Sequence, residues 1–307
     1  MASRIEFGVF APQGGLKYAD ILERTIAAER LGYHSWWLVD HFFSPRAVDS
    51  DQLECLTTLA ALATGSERIR LGVMVLCNSF RNPALLAKML ATIDNISGGR
   101  LEIGLGAGWL DAEYQAYGYE FPAIGVRLKQ LDESVQILRA MFTEPGASFT
   151  GEHYSVVKAP NNPKSTQKPY PPITIGGGGE KVLLRIVAKY ADRWNCPAAY
   201  GASAAKVEVL HNHCRDVGRD PKAISISEQI LVCVGRNEAE VAEKWVVAEK
   251  KFRQFARNTI KGTPAQAIEQ IREREKNGVT LLTMCFGDEP TPATLEFFAR
   301  EVMPAFR

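Results

Sequence analysis

Apolar runs of strand length and segments of helical periodicity alternate along this chain from end to end. No other feature restricts the fold as much. Ile5–Phe10 reads as a strand, and Tyr18–Leu31 as a helix stopped by Gly32. Ser35–Val39 is the next strand and Leu53–Ala63 the next helix. Ile69–Cys77 is a strongly apolar strand. Pro83, after Asn82, suits the first turn of a helix that runs to about Asn95. Gly98 and Gly99 turn the chain into Arg100–Leu105, and Val126–Phe142 is a long amphipathic helix. Strands Pro172–Ile175, Asp192–Cys196, Ile224–Val234 and Leu281–Phe286 follow. Helices Lys181–Tyr190, Ala204–Val217, Glu238–Phe255, Thr263–Lys276 and Thr291–Phe306 lie between and after them.

Eight strands separated by helices imply parallel pairing through right-handed crossovers. In 307 residues that pattern matches an α/β fold, the (β/α)8 TIM barrel. A doubly wound open sheet is the rival. Neither a strand-GxGxxG-helix fingerprint near the N-terminus nor a phosphate-binding P-loop supports it. The expectation is a single domain over residues 1–307 with one insertion, at about 143–172, after the fourth strand/helix unit. That stretch is rich in proline, too long for an ordinary connection, and carries a hairpin signal around Gly151-Glu152.

Charge narrows the partners. Lys plus Arg number 36 and Asp plus Glu 35, a formal net charge of +1. No basic stripe for nucleic acid or polybasic membrane patch is implied. No apolar run is long enough to cross a bilayer, and the first ten residues do not read as a signal peptide. A cytoplasmic protein with a small-molecule substrate is expected. The six cysteines form no CxxC pair and show no zinc-finger spacing, so they read as reduced packing residues. His211, His213 and Cys214 cluster on one helix and read as surface residues; no metal site is expected.

In a parallel barrel the chemistry lies at the C-terminal ends of the strands. Four consecutive glycines, Gly176, Gly177, Gly178 and Gly179, end the fifth strand before a helix. Bare backbone and a helix N-terminus suit a phosphate; a tight strand-to-helix turn is the plainer reading. Gly104-x-Gly106-x-Gly108 ends the fourth strand. It lets another group approach the backbone, and Gly106, Ala107 and Gly108 are candidates to lie against a flat cofactor ring. Asp40-His41 ends the second strand. His41 can exchange a proton near neutral pH or pack at the rim, and Asp40 can orient it or cap the next segment. Trp36 and Trp37 read as core, whereas Trp109 and Trp194, nearer the strand ends, fit either core packing or stacking on a ring.

These stretches together resemble the bacterial luciferase-like superfamily of flavin and deazaflavin barrels, most of all its branch that uses coenzyme F-420. The resemblance rests on Leu38-Val39-Asp40-His41-Phe42, on Ile69–Val75 with Phe80-Arg81-Asn82-Pro83-Ala84, and on Ser97–Trp109. Pro171–Gly179 and Ala191-Asp192-Arg193-Trp194-Asn195 extend it over nearly the whole chain. It implies a non-prolyl cis peptide at Met74-Val75 against the central ring of the cofactor. It places Asp40 and His41 near the redox-active ring and a phosphate at Gly176–Gly179. It also implies a homodimer formed through barrel helices.

Two departures stand out. Pro45 occupies a place where F-420 relatives often carry tryptophan, and Trp109 one where some carry a glutamate; Asp111 and Glu113 lie beyond it. A reductase, or another substrate than the sugar phosphates and alcohols of that branch, is therefore expected. The reading is an F-420-dependent oxidoreductase with His41 handling a proton. The alternatives are an FMN-dependent two-component monooxygenase and a flavin-binding barrel without turnover.

Overall fold

A computed structural model describes residues 5–45 and 47–306. The elements run β1 (Glu6–Phe10), α1 (Tyr18–Leu31), β2 (Ser35–Leu38), α2 (Cys55–Gly65), β3 (Arg70–Val73), β4 (Leu76–Cys77) and α3 (Pro83–Ile96). Then come β5 (Leu101–Gly106), α4 (Asp111–Ala116), α5 (Ile124–Thr143), β6 (Ala147–Thr150), β7 (Ser155–Ala159), β8 (Ile173–Gly176) and α6 (Leu183–Tyr190). The remainder is β9 (Arg193–Cys196), α7 (Ala204–Asp216), β10 (Ser225–Val234), α8 (Glu238–Lys251), β11 (Thr259–Gly262), α9 (Pro264–Lys276), β12 (Val279–Phe286) and α10 (Pro292–Glu301).

The main sheet is ordered β11-β10-β12-β1-β2-β3-β5-β8-β9, with β4 on β5 and a further pairing of β10 with β9. The registered pairs in it are parallel. This is the α/β TIM-barrel class that the alternation predicts. Its strands are buried on both faces, which is why they read as near-continuous apolar runs rather than alternating ones. No helix among the described residues is long and apolar enough to cross a membrane.

Two compact units divide the chain. The first holds the described residues up to Pro12, then Ala19–Trp37 and the chain from Gly176 onward. Its core includes Trp36, Trp37 and Trp194, all fully buried. The Phe7 ring meets Phe298 and Phe306 edge-on at 5.8 and 5.6 Å. Glu228, also buried, is satisfied by the Ser203 amide, Asn258 and Arg274. The second unit holds Gln13–Tyr18 and Leu38–Ile175. There Leu101, Ile103 and Leu105 of β5 and Leu131, Val135 and Leu138 of α5 are fully buried. Strands β6 and β7 pair as an antiparallel hairpin, where Gly151-Glu152 signals one.

Three details depart from the sequence reading. The apolar run Ile69–Cys77 is not one strand: β3 ends at Val73 and β4 begins at Leu76, while the Met74-Val75 bond between them is cis, as the resemblance implies. Strand β11 was not expected. It pairs Leu231–Val234, the end of β10, whereas β9 pairs only Ser225–Glu228 at its start. Ten residues of β10 outrun four of β9, and β11 satisfies the backbone groups left over. Cys214 is buried rather than a surface residue, while His211 and His213 beside it are half-buried.

Gly104 explains how the chain accommodates the break between β3 and β4. A Cβ at Gly104 would collide with the Val73 carbonyl oxygen and lie 3.3 Å from the Val75 side chain. Backbone cannot step aside as a flexible side chain does. Gly104→Ala is expected to cost about 1–3 kcal/mol, as overpacking does elsewhere. A melting temperature equal to that of the unmodified protein would show that this contact is not tight.

Candidate active site

The second unit gathers Asp40, His41, Met74, Val75, Gly106, Ala107 and Gly108. Asp40 and His41 follow β2 after Val39. The two neighbours have separate partners and separate tasks.

Asp40 is 6% exposed, and both of its oxygens are engaged. Oδ2 accepts from Arg81 Nη1 at 2.7 Å and from the Cys77 backbone N–H at 2.8 Å. Oδ1 accepts from Arg81 Nη2 at 3.0 Å and from the Cys55 thiol at 3.1 Å. The Arg81 contact is a bidentate ion pair, the geometry in which guanidinium and carboxylate fit best. Asp40 therefore does not orient His41. It ties the backbone of β4, just beyond Met74-Val75, to the residue preceding His41.

Arg81 also donates through Nη2 to Glu54 Oε1 at 2.7 Å. Burial alone would raise the Glu54 carboxyl; the hydroxyl and amide of Thr57, the Leu56 amide and Arg81 outweigh it and hold it at about 2. Asp40, Glu54 and Cys55 bring ligand atoms within 4.8 Å of one another, as a metal site would. Here the guanidinium of Arg81 supplies the positive charge between the carboxylates.

His41 has a different partner. Its Nδ1 lies 2.8 Å from Glu113 Oε2, and Glu113 Oε1 accepts the Phe42 backbone N–H at 2.7 Å. The Glu113 side chain is 2% exposed, that of His41 17%. A carboxylate that accepts at Nδ1 fixes that nitrogen as the donor, so the lone pair of the neutral ring sits on Nε2. Among the described residues nothing hydrogen-bonds Nε2. The arrangement is an oriented imidazole with one nitrogen held and the other available for proton exchange.

Sequence reasoning left Glu113 without a role. It sits on α4, a six-residue helix that the apolar pattern does not reveal. The signal that could have found it is its place five residues beyond the glycine-rich end of β5. Trp109 stands in the same segment, its ring edge-on to His41 at 5.8 Å and 86°.

The glycines have packing reasons. Gly108 takes φ +77°, and a Cβ there would meet the Tyr114 hydroxyl and Cys77 Sγ. Gly106 lies opposite Cys77 in the β4–β5 register, and Ala107 is buried. Burial lifts the Cys77 thiol to about 11. Gly108 is therefore closely packed by Tyr114 and Cys77.

The glycine run belongs to the first unit. Gly177 takes φ +144° against Leu183, and a Cβ on Gly178 would come 2.6 Å from the Tyr200 ring. Trp194, a core residue here, donates Nε1–H to the Gly177 carbonyl at 2.8 Å. Helix α6 starts at Leu183, two residues later than its pattern suggests, and its N-cap Val182 offers no side-chain acceptor. Among the described residues no backbone carbonyl accepts from the N–H groups of Gly178, Gly179 or Glu180.

A family model, that of luciferase-like monooxygenases, matches residues 5–260. The chain belongs to the luciferase-like monooxygenase family. It is 33% identical over 175 residues to an F-420-dependent glucose-6-phosphate dehydrogenase of Amycolatopsis mediterranei. That match covers 57% of this chain and 50% of the relative, so the chain spans about half the length of this curated relative. It is 25% identical over 362 aligned positions to an FMNH(2)-dependent dimethylsulfone monooxygenase of Pseudomonas putida, covering 100% of this chain and 96% of that one. Among solved structures, an F-420-dependent secondary alcohol dehydrogenase in complex with an F-420-acetone adduct aligns over 99% of both chains, with a TM-score of 0.84 and 20% identity. This last likeness shows the fold alone.

Proposed function

We propose that this chain is an F-420-dependent oxidoreductase that acts on a small organic substrate. The observation that carries the reading is the pairing of His41, just after β2, with Glu113 of α4, which leaves Nε2 available. The 33% identity to an F-420-dependent dehydrogenase supports the choice of cofactor.

The residues present suit such a group. Taken by itself, the first unit offers unbonded amides at Gly178–Glu180 ahead of a helix without a side-chain cap, which suits a phosphate. In the second unit, the Met74-Val75 step and Gly106-Ala107, the latter bringing nothing larger than a methyl beside β4, are the candidates to lie against the ring. When bound, the deazaflavin supplies the carbon that takes or gives a hydride. His41 moves the accompanying proton at Nε2. Glu113 holds the imidazole in the tautomer and orientation that this requires. Asp40 and Arg81 fix the backbone on which the Met74-Val75 bond sits.

An FMN-dependent monooxygenase is the second reading, favoured by the end-to-end match to the dimethylsulfone enzyme. Titrating the purified protein with each cofactor separates the two. F-420 is expected to bind with micromolar or tighter affinity and FMN not to bind. FMN binding at that strength with none for F-420 would reverse the assignment.

A further inference from the structure

The Trp109 indole is 61% exposed, although a tryptophan has more apolar surface to bury than other side chains. Its backbone is firmly held. Before it, Gly108 is locked by its positive φ, and its carbonyl accepts from the Arg127 guanidinium. Two residues after it, α4 begins, and Glu113 in its first turn is bound to His41 and Phe42. The indole is thus presented to solvent on fixed backbone, edge-on to the imidazole.

Two further rings of the same stretch of chain are exposed. Tyr117, 53% exposed, stacks on Phe42 at 4.2 Å and 23°. Tyr119, 37% exposed, anchors its hydroxyl on the Phe80 carbonyl at 3.1 Å. Among the described residues, Arg81 and Arg127, the guanidiniums of the adjoining segments, are already engaged. Arg127 serves the carbonyls of Gly108 and Pro122 and lies over the Phe121 ring at 4.0 Å. Arg81 serves Asp40 and Glu54. Neither is free to neutralise an anionic substrate.

We infer that Trp109 is a specificity-determining residue and that the substrate carries a flat, uncharged aromatic ring, stacked on the indole with its reacting group toward His41 Nε2. Stacking makes use of the exposed indole surface, and the imidazole lies 5.8 Å from that ring. The inference rests on the oxidoreductase reading for its chemistry, but its binding can be tested separately.

The probe is 1-naphthol, titrated by equilibrium dialysis against the unmodified protein, Trp109→Phe and Trp109→Ala, with F-420 binding measured on each. Saturable binding of 1-naphthol is expected, weakened about tenfold in Trp109→Ala and largely kept in Trp109→Phe. F-420 affinity should be equal in all three. Equal 1-naphthol binding by Trp109→Ala overturns the inference. So does a fall in F-420 affinity, which would give the indole to the cofactor, or dissociation of an oligomer, which would give it to a subunit contact. A protein that takes 1-naphthol through Trp109 but no F-420 loses the cofactor assignment and keeps the aromatic subsite.

Discussion

His41→Ala lowers turnover with F-420 by about 10²–10⁴-fold, the usual loss when a positioned proton-transfer group is removed. Cofactor affinity changes little, because the groups assigned to hold the ring and the phosphate are backbone. Glu113→Gln tests the same site from behind. The carboxylate accepts two N–H donors, one per oxygen: His41 Nδ1 and the Phe42 amide. A glutamine has one oxygen and one NH2, so it serves only one of them. If the oxygen stays on Phe42, the NH2 faces Nδ1 and drives the proton to Nε2, leaving no lone pair there. Turnover falls, by less than in His41→Ala, while F-420 affinity holds. Added imidazole is expected to restore part of the activity of His41→Ala and none of that of Glu113→Gln, where the ring is still in place. Turnover by His41→Ala at the unmodified rate ends the role given to this residue.

Much of the scaffold was legible because parallel strands covered on both faces leave long apolar runs, and Gly32, Pro83 and Gly98-Gly99 punctuate them. Candidate residues at strand ends could be named because a barrel places its chemistry there. The partners of those residues were not. Glu113 is 72 positions from His41, and Arg81 is 41 from Asp40. Each pairing follows from the strand order, which local pattern does not encode. Glu113 is one of 35 acidic residues, and nothing in its immediate neighbours marks it as buried. The break in Ile69–Cys77 was invisible to periodicity, since both halves are apolar; only the family resemblance placed a cis bond at Met74-Val75. The packing reasons for Gly104 and Gly108 were hidden for the same cause: they are contacts with Val73, Val75, Cys77 and Tyr114, known only once β3, β4 and β5 lie side by side.

Arg81→Met is expected to be the most destabilising single change in the second unit. It removes the guanidinium from Asp40, whose side chain is 3% exposed, and leaves a buried carboxylate with one thiol and one amide donor. Breaking a buried pair from one side costs about 3–5 kcal/mol, because the remaining charge has lost both water and partner. The fully exposed alternative, a surface ion pair, is worth about 1 kcal/mol or less, so the size of the effect discriminates. Asp40→Asn added to Arg81→Met should recover much of the loss. The amide oxygen still accepts the Cys77 N–H, and the uncompensated charge is gone. Urea denaturation of the two variants reads both quantities. An Arg81→Met variant within about 1 kcal/mol of the unmodified protein places this pair among ordinary surface contacts. The same substitution bears on function, because Asp40 anchors the backbone beyond Met74-Val75 while carrying His41 as its neighbour. Loosening that anchor should weaken F-420 binding in Arg81→Met and leave it stronger in the double variant. That pattern is opposite to His41→Ala, in which turnover falls and affinity stays, and it separates the residue that holds the floor of the site from the one that exchanges the proton.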